Sequence, residues 1–191
     1  MHKNRADVYS VGEAASAGIQ GVAENGNVPG LVAELEGADG VGRVVTGSGP
    51  VLPGESQEFT FYAPANHRRV SVASMLICTN DGFTGLDSQR LPRWVGDSIT
   101  KQFTAYDAGT EENDQSCANM PGPRCGAEGY SPVPGPGDEG FIHVSNGFHD
   151  LGDTDADGFE VLGPATYDWR NPVAQVTIKR KQDRDNSDSD D

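Results

Sequence analysis

Residues 69–79 read RVSVASMLICT, a run dominated by β-branched and apolar residues. Read as a strand, this run places apolar side chains on both of its faces, which is typical of a strand buried on both sides of a β-sandwich. One face would carry Val70, Val72, Leu76 and Cys78, and the other Met75 and Ile77. The run therefore favours a β-rich fold.

Similar short segments, rich in β-branched and aromatic residues and separated by turn residues, lie around this run. The further predicted strands are QEFTFYA (57–63), SITKQFTAY (98–106), GFIHV (140–144) and AQVTIKR (174–180). Two short helices are predicted at residues 12–24 and 29–37, the second with start signals at Asn27 and Pro29 and a stop signal at Gly37. The sequence therefore predicts a mainly β fold, an antiparallel β-sandwich with two short N-terminal helices and long Gly/Pro-rich loops.

The length of 191 residues fits one domain. The 25 glycines, 12 prolines and 35% hydrophobic residues argue against a helical bundle and against a membrane span. We expect residues 1–10 to be a leader, with truncation left open, residues 11–180 to form the domain, and residues 181–191 to be a disordered acidic tail. No secretory signal is recognisable at the start.

The formal net charge is −15, and it is concentrated in the middle of the chain. Residues 81–160 contain 15 acidic residues and 4 basic residues. A surface this acidic repels a phosphate backbone, so nucleic-acid binding is disfavoured. Concentrated carboxylates favour cations or basic partners instead.

The three cysteines do not form a disulfide scaffold. Cys78 lies in the apolar run, whereas Cys117 and Cys125 flank a Pro-Gly-Pro turn within the long loop at residues 117–140. These two either close a small loop by a disulfide in an oxidising compartment or stay reduced, and the sequence leaves both states open.

Two acidic turns carry the candidate chemistry. In TNDGFTGLD (79–87), a strand runs into an Asn-Asp-Gly turn that exposes Asp81, which alone is also an ordinary turn carboxylate. The second turn, YDAGTEEND (106–114), brings several acidic residues close together. Like charges this close are costly unless a cation lies among them, and calcium can bind carboxylates from two loops. Zinc suits these stretches less well because neither contains His or Cys. The acids of the second turn are Asp107, Glu111, Glu112 and Asp114.

These motifs occur in an order that resembles the spondin domain, in particular its bacterial and archaeal versions, which are related to the N-terminal domains of F-spondin and mindin. The resemblance covers about residues 11–180 and includes TNDGFTGLD, YDAGTEEND, EGFIHVSNGFHD and DWRNPVAQVTIKR. It implies an antiparallel β-sandwich with a calcium ion held between loops at one end. It also implies an extracellular domain of adhesion and matrix proteins that is not an enzyme.

The resemblance further implies the metal ligands. Asp81 takes the place of the loop aspartate in the first family motif, and Asp107 that of the aspartate in the Asp-Ala-Gly-Thr motif. Glu111 stands at the third acidic position, where animal members usually have aspartate, and a backbone carbonyl near Phe83 completes the protein ligands. Glu112 and Asp114 are then expected to be solvated.

Two further motifs leave alternatives open. DTDADGFE (153–160) follows the first half of a calcium loop, but its twelfth position is Pro164 instead of glutamate, so it is either a second site or an acidic turn. Its candidate ligands are Asp153, Asp155 and Asp157. His143 and His149 flank an Asn-Gly turn and are expected to be solvated or hydrogen-bonded.

We therefore expect a non-enzymatic, calcium-binding domain that is extracellular or displayed at the cell surface. Its expected role is adhesion or matrix contact, with a surface protein, a glycan or a matrix component as partner. A structural module of a larger surface assembly is the alternative. A metal-dependent hydrolase is less favoured, because no nucleophile elbow, Ser/His/Asp order or phosphate-binding loop accompanies the acids.

Overall fold

The computed structural model describes residues 1–3, 6–64, 66–113, 119–122, 138–147 and 169–182. Within these residues the protein is mainly β, with a five-stranded antiparallel sheet and two short helices. The predicted fold class is confirmed in these terms. The second layer of a sandwich stays a prediction.

The two helices lie in succession before the sheet. Helix α1, Ala17–Asn25, begins after Ser16, whose Oγ accepts a hydrogen bond from the Ile19 N–H at 3.2 Å. It ends at Gly26, which adopts a left-handed conformation with φ 68°. Helix α2, Val28–Glu36, begins after Asn27, whose Oδ1 accepts from Gly30 N at 3.2 Å. The first helix thus starts later than predicted, because Ser16 is the residue that caps it.

The described residues form five strands of this sheet, and the order of the first four follows the sequence. All of their pairings are antiparallel, and β5 pairs with β3. The strands are β1 (Arg69–Met75), β2 (Gly82–Arg90), β3 (Ser98–Asp107), β4 (His143–Val144) and β5 (Ala174–Lys179).

Strand β3 has different neighbours along its length. Its first six residues pair with β5, and its last four pair with the beginning of β2. The last two residues of β3 also pair with β4, on the side of β3 opposite to β2. The Asn171 side chain joins these parts, because its Oδ1 accepts from Ala105 N at 2.7 Å and its Nδ2 donates to Ser145 O at 2.8 Å. The last residue of β3, Asp107, is therefore held between β2 and β4.

The core lies where α1 covers β1 and β2. Three aromatic rings form its centre, with centroids 5.1 Å apart for Tyr9 and Phe83, 5.4 Å for Tyr9 and Tyr106, and 5.3 Å for Phe83 and Tyr106. Such edge and tilted contacts add stability beyond the area that they bury. The fully enclosed Phe83 fixes the start of β2 in this core.

The strand predicted over residues 57–63 is wrong. This segment belongs to no strand, and its Phe59 and Tyr62 side chains are 46% and 65% exposed. Its composition supplies β propensity, but a strand also needs a neighbouring strand and a face to bury. An exposed ion pair, with Lys181 Nζ 2.6 Å from Glu58 Oε1, contacts the segment instead.

The strand predicted over residues 69–79 is too long. It ends at Met75, and Ile77, predicted to be buried, is 45% exposed. The chain then turns and forms β2, which the sequence pattern does not predict because Gly82 and Gly85 weaken it. Gly85 is nevertheless required, since the Val72 carbonyl oxygen occupies the place that a Cβ would take.

Candidate metal centre

Asp81 lies just before β2 and is fully buried, with 0% of its surface exposed. The prediction that its turn exposes the carboxylate is therefore wrong. Its main-chain carbonyl accepts from Ala108 N at 3.1 Å, which extends the β2–β3 ladder past Gly82, so Asp81 continues the sheet instead of standing in an exposed turn. Its carboxylate lies buried at this end of the sheet.

One oxygen of this carboxylate holds the loop that follows β3. Asp81 Oδ2 accepts from Thr110 N at 2.6 Å, from Thr110 Oγ1 at 3.2 Å and from Glu111 N at 3.1 Å. Three donors on one oxygen are typical of an ionised carboxylate. The loop after β3 is thus tied to the start of β2 through a single side chain.

The other carboxylate oxygen of Asp81, Oδ1, accepts no hydrogen bond from the described residues. This oxygen is also buried. Burial and the neighbouring charge of Asp107 raise the pKa of Asp81 to about 7, although the hydrogen bonds from Thr110 and Glu111 act in the opposite direction. An ionised Asp81 therefore leaves a buried oxygen that a cation would satisfy.

Asp107 ends β3 and is 5% exposed. Its Oδ1 accepts from Gly109 N at 2.7 Å, and its Oδ2 accepts from Asn113 Nδ2 at 2.7 Å. Gly109 has φ 68°, and a Cβ on it would collide with the backbone of Phe141. The Asp-Ala-Gly-Thr motif therefore makes a tight turn in which aspartate fixes the loop and only glycine fits.

The other predicted ligands lie close by in different environments. Glu111 is 1% exposed, and its N–H is held by Asp81, whereas Glu112 is exposed, as expected for a solvated side chain. Phe83 pairs with Met75 on one side and with Tyr106 on the other, which places its carbonyl inside the sheet.

A different set of groups comes closest together. Ligand atoms of Asp107, Glu139 and His143 all lie within 4.8 Å of one another, and no other trio of potential ligands in the described segments is this compact. The two acids Asp81 and Glu111 do not join Asp107 in such a set. An ion bound by Asp81, Asp107 and Glu111 would therefore have to draw these three carboxylates together.

Glu24, a further buried carboxyl near this end of the sheet, belongs to none of the sequence motifs. It lies in the last turn of α1 and is 0% exposed, and its Oε1 accepts from Gln20 Nε2 at 2.7 Å. Its Oε2 is buried, and no described donor contacts it. Burial raises the pKa of Glu24, while the hydrogen bond from Gln20 opposes this shift. A carboxylate in the last turn of a largely apolar helix interacts unfavourably with the helix dipole. This unfavourable position is the feature of the sequence that could have pointed to Glu24.

Several predicted features lie outside the described residues. They are Asp114, Cys117, Cys125, His149, Asp153, Asp155 and Asp157. Cys78, in contrast, is described and is a buried free thiol.

Comparison with known protein families identifies the family of this chain. No curated protein matched the sequence. In the part of the chain that the structure describes, no helix is long and apolar enough to cross a membrane. The family model Spondin_N matches residues 1–120, which include both helices, the first three strands and the two acidic turns. The chain belongs to the spondin N-terminal domain family.

Proposed function

We propose that this chain is a calcium-binding domain that acts in adhesion or matrix contact at the outside of the cell. The spondin N-terminal domain family is an extracellular, matrix-type family and is generally non-enzymatic. Calcium binding and adhesion go beyond this family assignment, and the support for them comes from the acidic end of the sheet.

The observation that carries the proposal is the buried Oδ1 of Asp81. A buried carboxylate oxygen without a hydrogen bond is costly, and a second buried carboxylate, Asp107, lies close enough to raise the pKa of Asp81. A divalent cation would offset both costs. Asp81, Asp107 and Glu111 supply the carboxylates. The family resemblance adds the Phe83 carbonyl, which would have to leave its place in the sheet to reach the ion.

Calcium fits this donor set better than other common ions. The three side chains offer only oxygen ligands, which calcium accepts in flexible arrangements at about 2.3–2.6 Å. The loop from residue 108 to residue 113 already lies beside this site, because Asp81 holds the backbone N–H groups of Thr110 and Glu111. The exposed Glu112 and Asn113 then lie beside the ion, where a partner can approach.

Calorimetric titration of the chelator-stripped chain with calcium tests this proposal. We expect one saturable calcium site and a higher melting temperature in calcium than in chelator at equal ionic strength. Asp81→Asn keeps an oxygen for the Thr110 and Glu111 donors but removes the charge, so it should lose calcium binding without losing stability in chelator. Asp39→Asn, at an exposed acid outside the cluster, is the matched control.

Other results would contradict the assignment. Wild-type protein without a calcium site would exclude it, and equal destabilisation by Asp81→Asn in calcium and in chelator would make Asp81 a purely structural residue. The adhesion part has its own test, in which beads coated with the chain are applied to a reconstituted matrix surface. Adhesion should require calcium, and the Asp81→Asn variant should fail to adhere even in calcium.

A further inference from the structure

Asp107 and His143 lie directly opposite each other where β3 meets β4. Opposed residues in an antiparallel pair place their side chains on the same face of the sheet. His143 Nδ1 is accordingly 3.8 Å from Asp107 Oδ1. This distance is longer than a hydrogen bond but is close to the spacing of two ligands on one metal ion.

The loop before β4 brings a third group to the same place. Gly140 N donates to Gly109 O at 2.9 Å, which anchors the loop at the turn after β3. The preceding residue, Glu139, thereby comes within 4.8 Å of ligand atoms of both Asp107 and His143. Two carboxylates this close repel each other unless a positive charge lies between them.

We propose that Asp107, Glu139 and His143 form a site for a divalent transition-metal ion of the zinc class. The imidazole is the deciding ligand, because nitrogen suits zinc and its neighbours in the series, whereas calcium prefers oxygen alone. Three protein ligands leave the fourth position of a tetrahedral ion for water or for a group from a partner.

The geometry permits this coordination with small movements. Zinc bonds of about 2.0–2.1 Å place tetrahedral ligands roughly 3.4 Å apart, so the side chains must approach one another by an ångström or so. Glu139 is exposed and His143 is 34% exposed, so both can rotate, whereas the buried Asp107 is fixed by Gly109 and Asn113. The ring of Phe141, 5.9 Å from the imidazole, limits the His143 ring from one side.

Zinc titration of the chelator-stripped chain, without calcium, tests the proposal. We expect one zinc ion per chain, and we expect His143→Ala and Glu139→Gln each to weaken zinc binding at least about tenfold. Neither side chain is part of the core, so both variants should keep the wild-type melting temperature in chelator. His67→Ala and Glu36→Gln, which change a histidine and an exposed glutamate outside the trio, should bind zinc as the wild type does.

Unchanged zinc affinity in His143→Ala and Glu139→Gln would overturn the proposal, and so would an equal loss in His67→Ala. The proposed zinc site and the proposed calcium site share only Asp107, so a substitution can abolish one site and leave the other intact. Asp81→Asn should lose calcium and keep zinc, whereas His143→Ala should lose zinc and keep calcium. Zinc binding in a chain that binds no calcium would refute the proposed function alone.

Discussion

The carboxylate of Asp81 binds both the backbone N–H and the hydroxyl of Thr110, 29 residues farther along the chain, at 2.6 and 3.2 Å. This pair joins the start of β2 to the loop that follows β3 through the protein's own groups. The loop is therefore already positioned when a cation arrives, and the cation has to adjust carboxylates rather than fold the loop.

Thr110→Val tests how much the hydroxyl contributes. The variant keeps the shape and the backbone N–H but loses the hydrogen bond to Asp81 Oδ2, so the free energy of unfolding in chelator should fall by about 1 kcal/mol. Urea denaturation measures this change. Thr110→Ser retains a hydroxyl and should recover most of the loss, whereas equal destabilisation by both variants would point to side-chain packing instead.

Gly109→Ala should be the more damaging change in the same loop. Alanine at φ 68° costs about 1–2 kcal/mol, and its Cβ would also collide with the Phe141 backbone. We expect the free energy of unfolding to fall by more than about 2 kcal/mol and calcium affinity to fall with it.

Gly54→Ala provides the control for this prediction. Gly54 also has a positive φ, 83°, but no atom lies within 4 Å of the place where its Cβ would be. This variant should therefore show only the conformational cost and leave calcium affinity unchanged. Equal destabilisation by the two substitutions would exclude the contact with Phe141 as a cause.

Asp107 combines a charge with two hydrogen bonds, and two substitutions separate them. Asp107→Asn keeps an acceptor for Gly109 N, whereas Asp107→Ala removes both contacts, so the alanine variant should melt at a lower temperature in chelator. Both variants should lose the whole stabilisation by calcium, because each lacks the charge. Melting curves in calcium and in chelator measure both effects, and a calcium response retained by Asp107→Asn would contradict the role of the charge.

Glu24 gives a prediction about pH. Its pKa is raised in the folded protein, so the unfolded chain loses this proton at lower pH than the folded chain does. The folded state is thus penalised progressively as the pH rises from about 4 through the raised pKa. Glu24→Gln should remove this penalty, so in chelator it should be more stable than the wild type at pH 8, with a smaller difference near pH 4.

Denaturation curves across this pH range check the Glu24 prediction. Glu36→Gln, at an exposed position one helix later, is the matched control and should follow the wild-type curve. A stability difference between Glu24→Gln and the wild type that stays constant with pH would show that Glu24 acts through packing.

The predictable parts of this fold are those determined by local patterns. The segment 98–106 becomes β3, residues 174–180 contain β5, and Asn27 caps α2 as predicted. The sequence pattern misses β2, because its glycines carry no β propensity and are explained only by the closeness of β1. It also assigns a strand to residues 57–63, since propensity does not reveal whether a neighbouring strand exists.

The same limit applies to the candidate metal centre. The motifs around Asp81 and Asp107 are visible in the sequence, and the structure brings these two acids together. The burial of Glu24 depends on how α1 packs, and the meeting of Glu139 and His143 with Asp107 depends on the β3–β4 register. Both features are contacts between segments that lie far apart in the sequence. The spacing of residues within one segment cannot predict such contacts.

The division of β3 between two sets of neighbours has a mechanical consequence. Tension along β5 acts on six paired residues of β3 at once, so that this ladder resists in shear and does not open pair by pair. The same continuous backbone carries the load to Asp107, where β2 and β4 hold its other end. A force applied at one end of this strand would therefore be felt directly by the carboxylates at the other.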